Sequence, residues 1–123
     1  MKYLILIYGN PESRAIWEGF SDAERAEGYA VYAALKEELA ASGELIVTEA
    51  LAHPSLGKRV SVREGNTMTT DGPFAEAKEL LAGFFLLECE SMERALEHAA
   101  RVPEAELGLV EVRPVLVLGG LEM

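Results

Sequence analysis

Asp71 is the residue whose type and setting most invite chemistry. It opens "DGPF" within "TTDGPFAEAKELLAGFF", Thr69 to Phe85, and of 21 acidic residues only Asp22 and Asp71 are aspartates. An aspartate ahead of a turn commonly accepts the backbone N–H two residues on. Here that residue is Pro73, which has no N–H to give. A short carboxylate without that local duty, near Glu76, Lys78 and Glu79, suits a general acid or base. The competing reading is structural, with the carboxylate fixing its own loop by a hydrogen bond.

Other groups stand near enough in pattern to be weighed with it. His53 ends an apolar run before Pro54, where a loop can present an imidazole. Arg59, Ser61 and Arg63 alternate with Val60 and Val62, and Glu111 and Arg113 alternate with Val110 and Val112. If the valines face the core, these charges share the opposite face. They then make either internal ion pairs, Glu111 with one arginine, or a cationic pocket for an anionic ligand such as a carboxylate. His98 is read as part of a solvated helix face beside Arg94, Glu97 and Arg101. Cys89, between Glu88 and Glu90, is read as a packing residue rather than a nucleophile.

Other chemistries lack a pattern. His53 and His98 lie in different elements, and no H-x-x-x-H or C-x-x-C spacing occurs, so no metal site is expected. G-x-G-x-x-G, P-loop and G-x-S-x-G sequences are missing too, and no cofactor is expected. A formal net charge of −10 repels phosphate backbones and anionic membrane surfaces, so neither nucleic acid nor membrane is expected as a partner. A lone cysteine allows no internal disulfide and fits a reducing cytoplasm.

The elements that must position these groups can be read from periodicity. The 123 residues make one domain, residues 1–123. Tyr3 to Tyr8 is a strand with both alternating faces apolar, too short to span a membrane and broken by "GNPES". Ser21-x-x-Glu24 is a capping box that opens an Ala- and Leu-rich helix, and Gly43 stops it. Strands follow at Leu45 to Leu51, Arg59 to Arg63 and Asn66 to Thr70, the last two as a hairpin turned at Gly65-Asn66. Pro73 to Leu81 suits a short helix with Gly72 as its cap and Gly83 as its end. Gly83 to Cys89 is again apolar on both faces. Ser91 caps a helix ended by Pro103, and Val110 to Val115 closes the fold with Pro114 at an edge.

The order β-α-β-hairpin-β-α-β predicts an α+β subunit, a split βαβ arrangement with a mainly antiparallel sheet and two helices on one face. Two helices leave the other face of two apolar strands bare. Burying on the order of 600 Å² there is worth roughly 15 kcal/mol before the costs of association. A homodimer through the open sheet face is the expected cover. A monomer with Pro73 to Leu81 folded across the sheet is the alternative.

"TDGPFAEAKELLAGFFLLE", with "KYLILIYG" at the start and "GLVEVRPV" near the end, resembles the YCII-related, DGPF-domain proteins over almost the whole chain. The resemblance implies a ferredoxin-like subunit that dimerises as an α/β barrel. It also implies a small-molecule enzyme built on a His–Asp pair in a cleft, with Asp71 as the aspartate. In the YCII branch the histidine lies on the first helix; here that helix carries Tyr29 and Tyr32 and no histidine.

Two functional readings result. One is a cofactor-independent enzyme acting on a small anionic or aromatic molecule between sheet and partner subunit. Asp71 is its acid or base, Tyr32 or His53 supplies a proton, and Arg63, Arg113, Glu76 and Lys78 bind substrate. The other is a non-catalytic ligand-binding or regulatory interaction domain, since some relatives accompany extracytoplasmic-function sigma factors.

Overall fold

The computed structural model describes residues 1–74 and 78–118. Six strands are found, β1 (Lys2–Gly9), β2 (Leu45–Ala50), β3 (Lys58–Arg63), β4 (Asn66–Asp71), β5 (Leu80–Glu88) and β6 (Val110–Pro114). Three α-helices join them: α1 (Pro11–Glu18), α2 (Asp22–Ala41) and α3 (Met92–Ala99). The main sheet has the order β2-β5-β1-β6, and every neighbouring pair is antiparallel. β1 and β2 therefore run parallel with β5 between them, the split βαβ arrangement of a ferredoxin-like fold.

Register assigns the faces. Ile5 pairs with Phe85 and Val112, while Leu4 pairs with Leu86 and Arg113 and Leu6 with Phe84 and Glu111. The Ile5 face carries the core: Ile5, Ile7, Phe85 and Leu87 meet Leu35 and Leu39 of α2 with Ala99 and Val102. A smaller cluster of Tyr3, Cys89 and Ala95 continues it. Leu35 and Leu39, four apart on α2, are fully buried, and each buried leucine is worth about 2 kcal/mol of transfer free energy. Cys89 is a buried packing residue whose thiol is pushed up chiefly by desolvation. Leu4, Leu6, Phe84 and Leu86 belong to neither cluster; Leu6 is nonetheless buried and the other three are half-buried, so the second face of β1 and β5 is only partly bare.

Where signals were local, they were followed. Ser21 accepts from the Glu24 amide at 3.1 Å and Glu24 reaches back at 2.9 Å, and Gly43 takes the left-handed φ of +82° that stops α2. Four expectations fail. "GNPES" is not a plain breaker: Asn10 caps α1 with Ser13 in a capping box, and Pro11 takes the first turn, where its missing N–H costs nothing. The described residues thus hold three α-helices rather than two. The segment Pro73 to Leu81 is not one helix: Leu80 and Leu81 already belong to β5, opposite Gly9 and Tyr8, and extend the sheet rather than cross it. Residues 75–77, and with them Glu76 and Ala77, lie outside the described residues.

The third failure is the place of the hairpin. β3 and β4 form a separate two-stranded ribbon with every residue exposed, so Val60 and Val62 do not face the helices. Arg59 and Arg63 therefore do not share a sheet face with Glu111 and Arg113. The fourth is His98, which is buried at 6% exposure rather than solvated. Its Nε2 lies 3.1 Å from Glu44, a carboxylate also bound by Arg94 through two hydrogen bonds of 3.1 Å. That partner sits 54 positions away, beyond the reach of helix-face reasoning.

Candidate functional site

The sequence candidates fall into two places. The first is the corner where the hairpin meets β5. Asp71 ends β4 opposite Lys58, and its carboxylate accepts from Lys58 Nζ at 2.7 Å with both side chains exposed. Gly72 donates its N–H to the Gly57 carbonyl at 2.8 Å. It sits so close to the chain at Pro54 that a Cβ would stand 2.3 Å from the Pro54 carbonyl oxygen. Only glycine fits there. Phe74 is half-buried, with the Arg59 guanidinium 4.0 Å above its ring centre.

Beside this corner, His53, Pro54, Leu56, Phe74, Leu80 and Leu81 help line a hollow of about 280 Å³. The His53 ring starts the 3-10 turn Pro54–Leu56, with Nδ1 accepting from the Ser55 amide at 3.1 Å. A neutral ring must then carry its proton on Nε2. Arg63 is at the other end of the ribbon, paired with Asn66, roughly 17 Å along the strand from Lys58 at about 3.4 Å per residue. Arg113 lies on the open sheet face, 3.9 Å from Glu111, which also accepts from the Tyr8 hydroxyl at 3.0 Å. Lys78 is exposed in the bend before β5.

The second place is a cleft of about 480 Å³ between α2 and the helix side of the sheet, and Tyr32 is the one catalytic candidate in it. Its floor is Ile7, Thr48, Ala50, Gly83 and Phe85. Gly83 is needed for the strands to meet, since a Cβ there would be 2.9 Å from the Glu49 carbonyl oxygen. Tyr29, Tyr32, Ala33 and Lys36 form the wall along one stripe of α2, spaced three, one and three residues apart. Trp17 overhangs the mouth. Its ring lies on Gly28, where a Cβ would come within 3.0 Å of it, and meets Tyr29 edge-on at 5.2 Å. Arg25 ties down the end of α1 by donating to the Trp17 and Glu18 carbonyls at 3.2 and 2.9 Å.

The polar end of the cleft is a pair. Tyr32 donates its hydroxyl to the Glu104 carboxylate, from the 3-10 turn Pro103–Leu107. Burial first, and then the bond to Glu104, push the Tyr32 phenol far above its ordinary range. Tyr32 thus remains the donor and Glu104 the acceptor. Lys36, one turn further along α2, is exposed at the cleft and has no ion pair among the described residues. Glu104, Lys36 and Trp17 were not singled out from the sequence. The Tyr29-Tyr32-Lys36 spacing was the available signal for two of the cleft's side chains; nothing local marks Glu104, which faces Tyr32 from 72 residues away. Among the described residues no cluster of three or more His, Cys, Asp or Glu could hold a metal ion. No helix among them is long and apolar enough to cross a membrane.

Comparison with known proteins adds three findings. Residues 1–118 match the YCII-related domain. An uncharacterised protein of Rhizobium meliloti is 31% identical over 117 residues, covering 94% of this chain and 92% of that protein. The structure of 5-chloro-2-hydroxyhydroquinone dehydrochlorinase from Burkholderia phenoliruptrix, in complex with 2,5-dihydroxybenzoquinone, covers 94% of both chains with a TM-score of 0.53 and 20% identity. At that identity the likeness is one of fold.

Proposed function

The chain belongs to the YCII-related family, and from that premise we propose that it is a cofactor-independent enzyme acting on a small aromatic or enolic molecule held in the cleft under α2. The observation that carries the reading is the Tyr32–Glu104 hydrogen bond at the wall of a cleft lined by Trp17, Tyr29, Tyr32 and Phe85. Glu104 acts as the general base, oriented by a phenol that stays protonated. The substrate gives up a proton from O–H, or from C–H beside a carbonyl, and keeps the electron pair as a phenolate or enolate. Glu104 returns the proton to another atom. No cofactor is required for a step that moves only a proton. The dehydrochlorinase neighbour, by its name, acts on a hydroxylated ring, which supports this substrate class.

In this reading two copies pack through the second sheet face and complete the burial of the half-buried Leu4, Phe84 and Leu86. Asp71, on the outside of the ribbon, serves as a second acid or base only where a second copy encloses it, and His53 with it. The pairing of Asp71 with Lys58 and the fit of Gly72 against Pro54 favour a different duty for the corner, which is to fix the chain between β4 and β5. A non-catalytic binding domain would need no more of Asp71 than that.

Trp17 is the only tryptophan, so its fluorescence reports the cleft. A panel of hydroxylated aromatics and enols is titrated against it, and each binder is then followed for conversion by the wild type and Glu104→Gln. Glutamine can still accept from Tyr32 but cannot take a proton. Turnover is expected to fall at least about a hundredfold, the usual span for a general base, with the unfolding temperature unchanged. Saturable binding without conversion by the wild type would favour the non-catalytic reading; a panel with no binder would remove the cleft as the site.

A further inference from the structure

Lys36 is one of five cations, with Lys2, Arg14, Arg63 and Lys78, that have no ion pair among the described residues, and of these it alone lines the cleft. Arg25, Lys58, Arg94, Arg101 and Arg113 each lie within 4.0 Å of a carboxylate. Lys36 has no such partner among the described residues, and it lines the cleft. It stands four residues after Tyr32, so their Cβ atoms are about 6 Å apart on one helix row. Tyr32 in turn holds Glu104. Glu104, a second carboxylate in Glu49, and a single cation with no ion pair among the described residues therefore line one space of about 480 Å³, with aromatic side chains around it.

A proton taken by Glu104 leaves an electron pair on the substrate oxygen, and that negative charge needs a partner in a partly desolvated cleft. Neither Glu104 nor Glu49 carries a positive charge to supply it, and Tyr32 already donates to Glu104, which leaves Lys36 as the one cation in the lining. We infer that Lys36 is the charge-selecting residue of the cleft: its ammonium holds the oxygen anion of a phenolate or enolate, so the ligands taken are acidic hydroxy compounds bound as their conjugate bases. This rests on the cleft reading above. It goes further in naming the charge state of the ligand and the residue that chooses it. A neutral aromatic of the same shape would lose the contact to Lys36 and keep only the stacking.

The test uses 4-nitrophenol, whose phenolate absorbs visible light, so protein-bound and free ligand can be titrated optically. Binding is followed in parallel by Trp17 fluorescence. On the wild type the bound ligand is expected to ionise about one pH unit below the free ligand, a tenfold preference for the anion. Lys36→Met abolishes that displacement while still binding the ligand, and Lys36→Arg retains most of it. Lys36 is exposed on α2, so neither variant threatens the fold. If 4-nitrophenol binds with no displacement, or with the same displacement in Lys36→Met, the inference about Lys36 is overturned and the cleft stands. If 4-nitrophenol does not bind at all, the cleft reading falls and takes the inference with it.

Discussion

The corner at Asp71–Phe74 and the cleft under α2 are built in opposite ways. At the corner, four consecutive residues hold a distinctive motif, but its polar groups are satisfied close by. Asp71 is matched by Lys58, the Gly72 amide by Gly57, and Phe74 by Arg59. In the cleft, Trp17, Tyr32 with Lys36, Gly83 and Glu104 come from four stretches with no motif among them, yet they enclose a space whose one cation has no ion pair among the described residues. A motif can record a backbone constraint as readily as a reaction. Concavity with an uncompensated charge is the better sign of ligand chemistry. On this view the Glu104→Gln loss of turnover, about a hundredfold or more, is the largest effect expected anywhere in the molecule.

The next largest effect tests the corner as architecture. Gly72→Ala forces a Cβ to within 2.3 Å of the Pro54 carbonyl oxygen, a backbone atom that cannot swing aside. A cost of about 3 kcal/mol is expected, from moving the chain at Pro54 or breaking the Gly72–Gly57 bond. Chemical denaturation measures it. A loss below about 1 kcal/mol would mean the corner yields easily and is not what fixes the chain between β4 and β5.

Much of the frame was legible because its causes are local or periodic. The capping box at Ser21, the helix start at Ser91, the stop at Gly43, the hairpin and the two-faced apolar strands all follow from residues within a few positions of each other. Asn10-Pro11 is legible too, as a cap and first-turn proline, although the same residues also carry the pattern of a break. The misplacement of Arg59 and Arg63 has a different origin. Alternation predicts a strand with two faces; it does not say which sheet the strand joins, and β3–β4 joins none. The same limit hid Glu104, and it hid the environment of His98.

That environment supplies a third contrast, since Glu44 and Arg94 are half-buried and matched around the buried His98, where the cleft's Lys36 is exposed and has no ion pair among the described residues. The Glu44 carboxyl is held down at about 2 from an ordinary 4.5, first by Arg94 and also by Ser42 and His98. A group whose native value is depressed adds stability that is full above its unfolded value and is lost as pH falls through the native one. Between about pH 4.5 and 2 the wild type should therefore lose stability faster than Glu44→Gln, and the two curves should converge in stronger acid. At neutral pH, Arg94→Ala is expected to lower the unfolding temperature, because the Glu44 carboxylate loses its main donor. Parallel acid profiles for wild type and Glu44→Gln would show that Glu44 gains nothing from folding.

Asp71→Asn is expected to do least, and it bears directly on the comparison between corner and cleft. The variant keeps the side chain's size and one acceptor oxygen and removes only the charge facing Lys58. An exposed pair of this kind contributes up to about 1 kcal/mol, so a shift of a few degrees at most is expected in the unfolding temperature. Turnover of whatever substrate the cleft accepts should stay within about twofold, because Asp71 is absent from the cleft's lining. The informative failure is a variant that folds as well as the wild type and loses as much turnover as Glu104→Gln. Asp71 would then be reaching a reacting atom. Its exposure in the single chain means that a second copy would have to bring that atom to it, so the working site would span two chains. Repeating the assay with equal amounts of Asp71→Asn and Glu104→Gln mixed after unfolding and refolding would decide the matter. Recovery of about a quarter of wild-type activity, from mixed dimers in which one complete site survives, marks a site shared between subunits. No recovery leaves both residues acting within one chain.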